Sequence, residues 1–505
     1  MVSSEMRRRN FALIGAGPVG IFLSYLLIKK GHKVTLFEAG GRDSESTTLN
    51  LSDYIFKTKS KIPSGVHRVG GASNLWKRRV SEFSSDTFNR VDKDGEREWP
   101  LEFQDLEQAN SLLFDLLDGE GLRDNDYVEK YCHHLVQSLP EPLQLNLFRF
   151  CDEDFFTSLL AKLETNDNFK LVTNTRVVKL QPRGAVDSIP PSVGLVLFEE
   201  HCDSTRTEIY SDTVLTGGCL QSTFLAMSSE DILKRHPAPH LLGKFLMEHF
   251  DGYVGTLRIE SKNSATLKQI VLNEDRKLPG TAFGVALTIP NNQSSVSKVT
   301  DFHLEIVQWR KTYLFDPNLN IFNGLPTRIY KFFFLCERVV KKLPSEIRKF
   351  WFKASGTEIY SVWLKGEEIP FATSQIQVQS GHGGKNAKLV YQHKVSKDSK
   401  VLMRRRLKEL SQSLKENDLG KFKLHSYFNL NSLFYTGPNF HPMGSLRMGI
   451  DPGNSVVGPD FAFHGTQNIF AVNSGVFPNG SNHNPTAMVL ALSIVFASNF
   501  DDHAR

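Results

Sequence analysis

Three glycines and one acid near the start of the chain are spaced to hold phosphates and a ribose. Gly15, Gly17 and Gly20 stand as Gly-x-Gly-x-x-Gly, and Glu38 follows 18 residues beyond the last of them. Gly15 allows a tight turn, Gly17 lets backbone approach a pyrophosphate, and Gly20 lets a helix pack on a strand. A helix that begins inside such a loop offers unpaired N–H groups and a partial positive charge to phosphates. The Glu38 carboxylate can accept hydrogen bonds from ribose hydroxyls. This chemistry is dinucleotide binding, and the spacing alone does not separate FAD from NAD. The competing interpretation is a strand–helix–strand unit that binds nothing, and an acid at the end of the second strand argues against it.

The elements that must position these residues are legible around them. Phe11–Ile14 is a short apolar strand, Ile21–Ile28 is helical, Gly31-His32 is a turn, and Val34–Phe37 is a second strand. A second glycine-bearing loop, Val69–Trp76, is followed by Lys77-Arg78-Arg79. Residues 103–118 form an amphipathic pattern, and 153–164 suggest another helix. Strands are expected at Phe169–Val172, Thr175–Leu180 and Val193–Phe198. Asp212–Gly218 reads as a strand ending on two glycines, with a helix after it through Ser222–Ala226. Residues 252–425 change texture, with longer alternating polar stretches. Glycine and proline rise from 436, and a helix is expected over 486–498.

Length and composition bound the class. A chain of 505 residues exceeds one ordinary core, so two or more domains are expected. A hydrophobic fraction of 40% and a charged fraction of 23% are those of a globular protein. The net charge of +5 does not argue for nucleic acid, and no nucleic-acid partner is expected. The five cysteines, Cys132, Cys151, Cys202, Cys219 and Cys336, make no C-x-x-C pair and no metal-ligand spacing. An odd, sparse set suits a reducing compartment better than a disulfide framework. The first strand starts about a dozen residues after Met1, and no apolar run approaches the roughly 20 residues of a membrane span. The cytoplasm is the expected location.

Two C-terminal stretches carry a family resemblance. One is His441-Pro442-Met443-Gly444-Ser445-Leu446-Arg447-Met448-Gly449. The other runs from Asn468 through Asn473-Ser474-Gly475 and Pro478 to His483-Asn484-Pro485-Thr486-Ala487-Met488. They resemble the two C-terminal signatures of the glucose–methanol–choline (GMC) oxidoreductases, which are FAD enzymes. The similarity extends to Gly15–Gly20, to Gly70–Trp76, to Trp99-Pro100 and to Gly217-Gly218, and is thin between about 255 and 430. The nearest branch in character is that of pyranose oxidases and bacterial sugar dehydrogenases.

The resemblance implies an α/β fold: a discontinuous Rossmann-like FAD-binding domain plus an antiparallel-sheet α+β substrate domain. The FAD domain would take 1–245, with a substrate-domain excursion near 100–150, and would resume over 431–505; the substrate domain would take 246–430. FAD would be held non-covalently by Gly15, Gly17, Gly20, Glu38, Gly70, Gly71, Asn74, Val178, Asn473, Pro485 and Thr486. Relatives that attach FAD covalently use a histidine where this chain has Leu75. Family members usually carry aspartate at the position of Asn473, and Asn can still hydrogen-bond hydroxyls. The C-terminal helix would start near Pro485-Thr486 and point its positive end at the isoalloxazine.

Oxidising an alcohol removes a proton from oxygen and a hydride from carbon. The proton needs a base with a pKa near neutrality, which suits histidine. His441 occupies the family's catalytic histidine position and Asn484 its hydrogen-bonding partner position, where it would donate to the substrate oxygen. Asn484 also suits a helix cap, and His441 also reads as a loop histidine satisfied by backbone. His483 is a rival for the second role. The substrate would be a small-molecule alcohol, a sugar or sugar derivative by resemblance, with oxygen, a quinone or a protein taking the electrons. A lyase or decarboxylase on the same fold, or a membrane-associated flavoprotein with little turnover, are the alternatives.

Two basic segments stand apart. Lys77-Arg78-Arg79 reads as a solvated face, with contact to an anionic substrate or the FAD phosphates as the other reading. Residues 326–353 interleave aromatics with lysines and arginines, as a helix at an anionic membrane surface does. The plainer interpretation is an amphipathic helical pair packed on the substrate domain, divided by Pro344.

Overall fold

A computed structural model describes residues 8–42, 54–56, 66–91, 95–152, 154–183, 192–199, 204–260, 264–273, 275, 277–289, 301–308, 357–379, 387–424 and 441–500. The basic aromatic segment 326–353 lies outside these residues.

A five-stranded sheet organises the nucleotide half. Asn10–Ile14 lies at its centre, flanked by Lys33–Phe37 and Asp212–Leu215, with Phe169–Val172 and Ile469–Ala471 outermost, all neighbours parallel. Phe11, Ala12 and Leu13 are fully buried. A strand apolar on both sides needs cover on both faces. The helices Pro18–Lys29, Phe103–Asp118 and Pro485–Asn499 share one core with it, as does the antiparallel meander of Thr175–Arg183, Ser192–Glu199 and Ser204–Tyr210. The C-terminal helix has almost no polar face, and such a helix must be buried all round. Strands from residues 10, 212 and 469 onward meet in this sheet, so the two ends of the chain build one unit.

The second sheet has seven strands. Its order is Lys421–Leu424, Phe250–Glu260, Thr357–Gly366, Phe302–Gln308, Phe283–Thr288, Gln144–Phe150 and Arg79–Val80, antiparallel throughout. Alternation along these strands separates two surfaces. Val362, Leu364, Leu304 and Ile306 turn to a core that also takes Met403, Leu407, Leu410 and Leu414 from the helix Lys397–Glu416. The opposite surface carries Lys365, whose register partners are Asp251 on one side and His303 on the other. Cross-strand partners of this kind put their side chains on the same face.

The end of the run Lys77-Arg78-Arg79 departs from a solvated face. Arg79 opens the edge strand of this sheet and is 5% exposed, whereas Lys77 lies ahead of the strand and is exposed. Trp99 is fully buried, stacks on Phe88 with ring centroids 5.1 Å apart, and donates its indole N–H to Asn479 Oδ1 at 2.8 Å. That bond ties the Trp99-Pro100 segment to the loop leading into the C-terminal helix. Among the described residues, Cys132, Cys151 and Cys219 are buried and in no disulfide, and no helix is long and apolar enough to cross a membrane.

Candidate active site

The glycine loop is built by close approaches that a side chain would forbid. Gly15 has φ +109°, and a Cβ there would sit 2.4 Å from the Gly217 Cα. A Cβ on Gly20 would sit 2.1 Å from the Gly15 carbonyl oxygen. A Cβ on Gly17, by contrast, meets nothing within 4 Å. The helix that starts here has Gly17 at its N-cap and Pro18 next, with no side-chain cap and no acid in its first turn. No side chain competes for its first N–H groups, as an anion site requires.

The second glycine loop docks on the first. Gly70 donates its N–H to the Ala16 carbonyl at 2.8 Å, and Gly71, at φ +49°, approaches the Gly17 Cα. The Asn74 amide braces this loop by donating to the Val69 and Gly71 carbonyls at 3.0 and 2.9 Å. Glu38 is buried at the strand end and accepts N–H bonds from Ala16 and Gly40, each at 3.0 Å. Burial pushes its carboxyl up and these N–H groups pull it down. Each carboxylate oxygen retains a lone pair for a further donor. Val178 is the extra residue of a β-bulge, between pairs made by Val177 and Lys179, so its backbone lies outside the ladder. Asn473 is spent locally, donating to Leu215 O at 2.9 Å and accepting from Gly475 N–H at 2.8 Å. These features fit a dinucleotide such as FAD: a pyrophosphate cradle with open amides, and a carboxylate for a ribose.

The C-terminal segments converge on a histidine cluster. Residues 444–448 run beside 474–476, with Gly444, Leu446 and Met448 donating to the carbonyls of Ser474, Gly475 and Val476. Met443 and Met247 exchange backbone hydrogen bonds of 2.9 and 3.0 Å. This pairing sets His441 beside His249, their Nδ1 atoms 3.1 Å apart. A hydrogen bond between two such nitrogens needs one Nδ1–H and one bare Nδ1, so the accepting ring is neutral. The His441 backbone N–H donates to Glu248 Oε2 at 2.9 Å. Behind it, Tyr391 donates to Glu248 Oε1 at 3.2 Å, and Glu368 pairs with His393 at 2.8 Å.

Asn484 occupies the N-cap position of the C-terminal helix, yet its side chain caps nothing. Its Oδ1 instead accepts a hydrogen bond from Lys365 Nζ. Lys365 is 2% exposed and lies 3.7 Å from Asp251 Oδ2. Pro485 takes the first helical turn, and Thr486 follows half-buried. His483 turns the other way: its Nδ1 meets Ser81 Oγ at 2.8 Å and its ring lies 5.7 Å from that of His303. His303 Nε2 accepts from the Arg79 guanidinium at 3.1 Å, which requires a neutral ring. Arg79 also pairs with Glu305 and stacks over Phe148 at 3.4 Å.

The electrostatics favour uncharged imidazoles. Burial, then the Lys365 cation, holds His249 down at about 3. Burial lowers His303 to about 4, with Arg79 and Lys365 adding to it. His441 and His483 are pushed well below their ordinary value by burial and by the same two cations. Burial raises Glu248 to about 8. The arrangement can therefore accept a proton at an imidazole and offer hydrogen bonds from an amide and an ammonium.

The sequence brought His441, Asn484 and His483 to attention, and the structure joins His441 to His249, Asn484 to Lys365, and His483 to Ser81 and His303. It adds His249, Lys365, His303, Arg79 and Glu248, which no motif marks. Lys365 and His303 sit in strands whose polar–apolar alternation is visible, but their shared face follows from long-range register.

Residues 370–493 match the family model for GMC oxidoreductases. Over its whole length the chain is similar in structure to pyridoxine 4-oxidase from Mesorbium loti, with TM-score 0.58, 15% identity, and coverage of 99% of this chain and 100% of that one. It is also similar to a fungal aryl-alcohol oxidase, with TM-score 0.51, 12% identity, and coverage of 98% and 99%. No curated protein sequence matches the chain.

Proposed function

We propose that the chain is a GMC-type, FAD-dependent oxidoreductase acting on the CH–OH group of an alcohol, with His441 as base, a reading supported by the match of residues 370–493 to the GMC family model and by the full-length likeness of fold to two oxidases. The observation that carries this is the His441–His249 pair, with Nδ1 atoms 3.1 Å apart, together with the hydrogen bond from Lys365 to Asn484 at the N-cap of the C-terminal helix. Bound FAD would supply a two-electron acceptor for the hydride. Gly15, Gly17, Gly20, Glu38, Gly70, Gly71 and Val178 would hold it, and the N-terminus of the Pro485–Asn499 helix would offer positive potential to negative charge on the ring.

The chain's own residues handle the proton. In the tautomer in which His441 donates Nδ1–H to His249 Nδ1, its Nε2 is bare and can take the proton of the substrate hydroxyl. Asn484 has Oδ1 engaged by Lys365, so its N–H groups are what it offers to the substrate oxygen as charge develops there. The polar surface of the seven-stranded sheet, with Asp251, Lys365, His303, Glu305 and Arg79, suits a substrate with several hydrogen-bonding groups, such as a sugar or a hydroxymethyl heteroaromatic. The structural neighbours are named for pyridoxine and aryl alcohols, which places those compounds beside sugars as candidates. FAD is proposed to be dissociable, because the position of covalent attachment in relatives is the apolar, half-exposed Leu75.

The test is anaerobic addition of a panel of sugars, pyridoxine and benzylic alcohols to the FAD-loaded protein. Bleaching of the oxidised flavin's visible absorbance by one of them is the expected result. A flavin that no alcohol bleaches, while dithionite does, would overturn the alcohol assignment in favour of a non-oxidative reaction on this fold.

A further inference from the structure

Lys365 is a buried cation that no motif of the sequence marks. It lies in the middle of the seven-stranded sheet, between register partners Asp251 and His303, and reaches across to the first residue of the C-terminal helix. A lysine 2% exposed is costly unless its charge is compensated. Asp251 is an anion 3.7 Å from it, and that carboxylate also accepts the indole N–H of Trp363. The hydrogen bond from Lys365 goes to Asn484, a neutral amide at the proposed reaction centre. The other ionisable groups near His441 are His249, Glu248 and Arg79, with His303 and His483 on the far side of the cluster.

We propose that Lys365 is a positioning residue for this site: its ammonium fixes the Asn484 carboxamide with the N–H groups turned outward, and as a cation opposite Asp251, two residues from His249, it keeps the His441–His249 pair in the proton-accepting form. The first half follows from donor chemistry. An ammonium has only donors, so it selects the carbonyl end of the amide and leaves the amino end for another acceptor. Without it either end of Asn484 could face the substrate, and the carbonyl end would repel a developing alkoxide. The second half follows from proximity. A nearby like charge disfavours an imidazolium; His249, bonded to His441, stands two residues before Asp251, the register partner of Lys365, and the Lys365 cation adds to burial in holding His441 down. The Asn484 half rests on the alcohol-oxidation reading; the His441 half does not.

The experiment is a ring-nitrogen NMR titration of the FAD-loaded protein labelled at histidine, with the His441 signal assigned by its loss in His441→Gln. In Lys365→Met the His441 midpoint is expected to rise by about one unit or more, and in Lys365→Arg, which keeps the charge, to stay near the wild-type position. If Met leaves Asp251 unpaired and the protein does not fold, Lys365→Met with Asp251→Asn removes both charges and the same rise is expected. An unchanged His441 midpoint in the folded charge-free variant overturns the electrostatic role. In parallel, kcat should fall at least ten-fold in the Met variant and recover at least in part with Arg, with KM changed less; equal activity of Met and wild type overturns the Asn484 role. A wild-type protein that turns over no alcohol, yet shows the titration shift, removes the function assigned above and leaves the Lys365–His441 coupling standing.

Discussion

Alanine at Gly15 and at Gly17 should fail in opposite ways, although both belong to one loop. At Gly15 the backbone has φ +109°, and the added Cβ would lie 2.4 Å from one backbone atom of Gly217 and 2.8 Å from another. Forcing an L-residue into a left-handed conformation costs roughly 1–2 kcal/mol. Overpacking against atoms that cannot turn aside adds about 1–3 kcal/mol. Gly15→Ala should therefore lose on the order of 2–5 kcal/mol of stability, a large part of the roughly 5–15 kcal/mol that holds a typical domain. At Gly17 φ is −77° and the Cβ enters open space, so the apoprotein should lose no more than about 1 kcal/mol, the scale on which alanine is worse than glycine at an N-cap. The methyl group would instead stand where a pyrophosphate must approach. Losing one charge-assisted hydrogen bond there costs about 1.5–3 kcal/mol, which is about ten- to a hundred-fold in affinity. Urea denaturation of the apoproteins measures the first effect, and quenching of flavin fluorescence on titration measures the second. A Gly17→Ala protein that binds FAD as tightly as wild type, or that is as unstable as Gly15→Ala, would refute the assignment of this loop as the phosphate cradle.

Four further outcomes follow from the same geometry. His441→Gln should retain bound flavin but lose alcohol-dependent bleaching by at least about a hundred-fold, the usual scale of general-base catalysis, in stopped-flow records. Because burial and nearby cations lower the His441 pKa, the acid limb of kcat/KM should lie below the ordinary imidazole value of 6.5, since only the uncharged ring accepts a proton. Glu248, raised to about 8 by burial, stabilises the fold fully below its ordinary 4.5 and less as pH rises toward 8; in Glu248→Gln the loss of stability between pH 5 and 8, followed by denaturant midpoints, should diminish. Trp99→Phe removes the donor to Asn479 Oδ1 in a fully buried setting and should cost about 1–3 kcal/mol in denaturant unfolding.

Local order explains what could be read from the sequence. The helix at Phe103–Asp118 and the strand at Phe169–Val172 coincide with their expected limits, because each has a complete amphipathic or apolar pattern and a clear stop. The C-terminal helix begins at Pro485, where proline's fixed φ suits a first turn. The glycine cradle was legible since its spacing is itself the local geometry. Arg79 was harder: a run of three cations looks solvated, and only its place in an edge strand turns the last of them inward. The partners of His441 and Asn484 were not legible at all. His249 reaches His441 through a backbone pairing between residues 247 and 443, and Lys365 reaches Asn484 through sheet register and domain packing. Nothing within a short window of sequence encodes either contact. Asn484 shows the limit from the other side, since a residue type suited to capping holds the cap position while its side chain serves a lysine.

The most direct measurement is the flavin content of the purified protein after incubation with FAD and removal of unbound ligand. One FAD per chain, released into the supernatant when the protein is precipitated with acid, is the predicted result. A colourless protein would contradict the account at its root, because the cradle around Gly17 would then hold no flavin for His441 to serve.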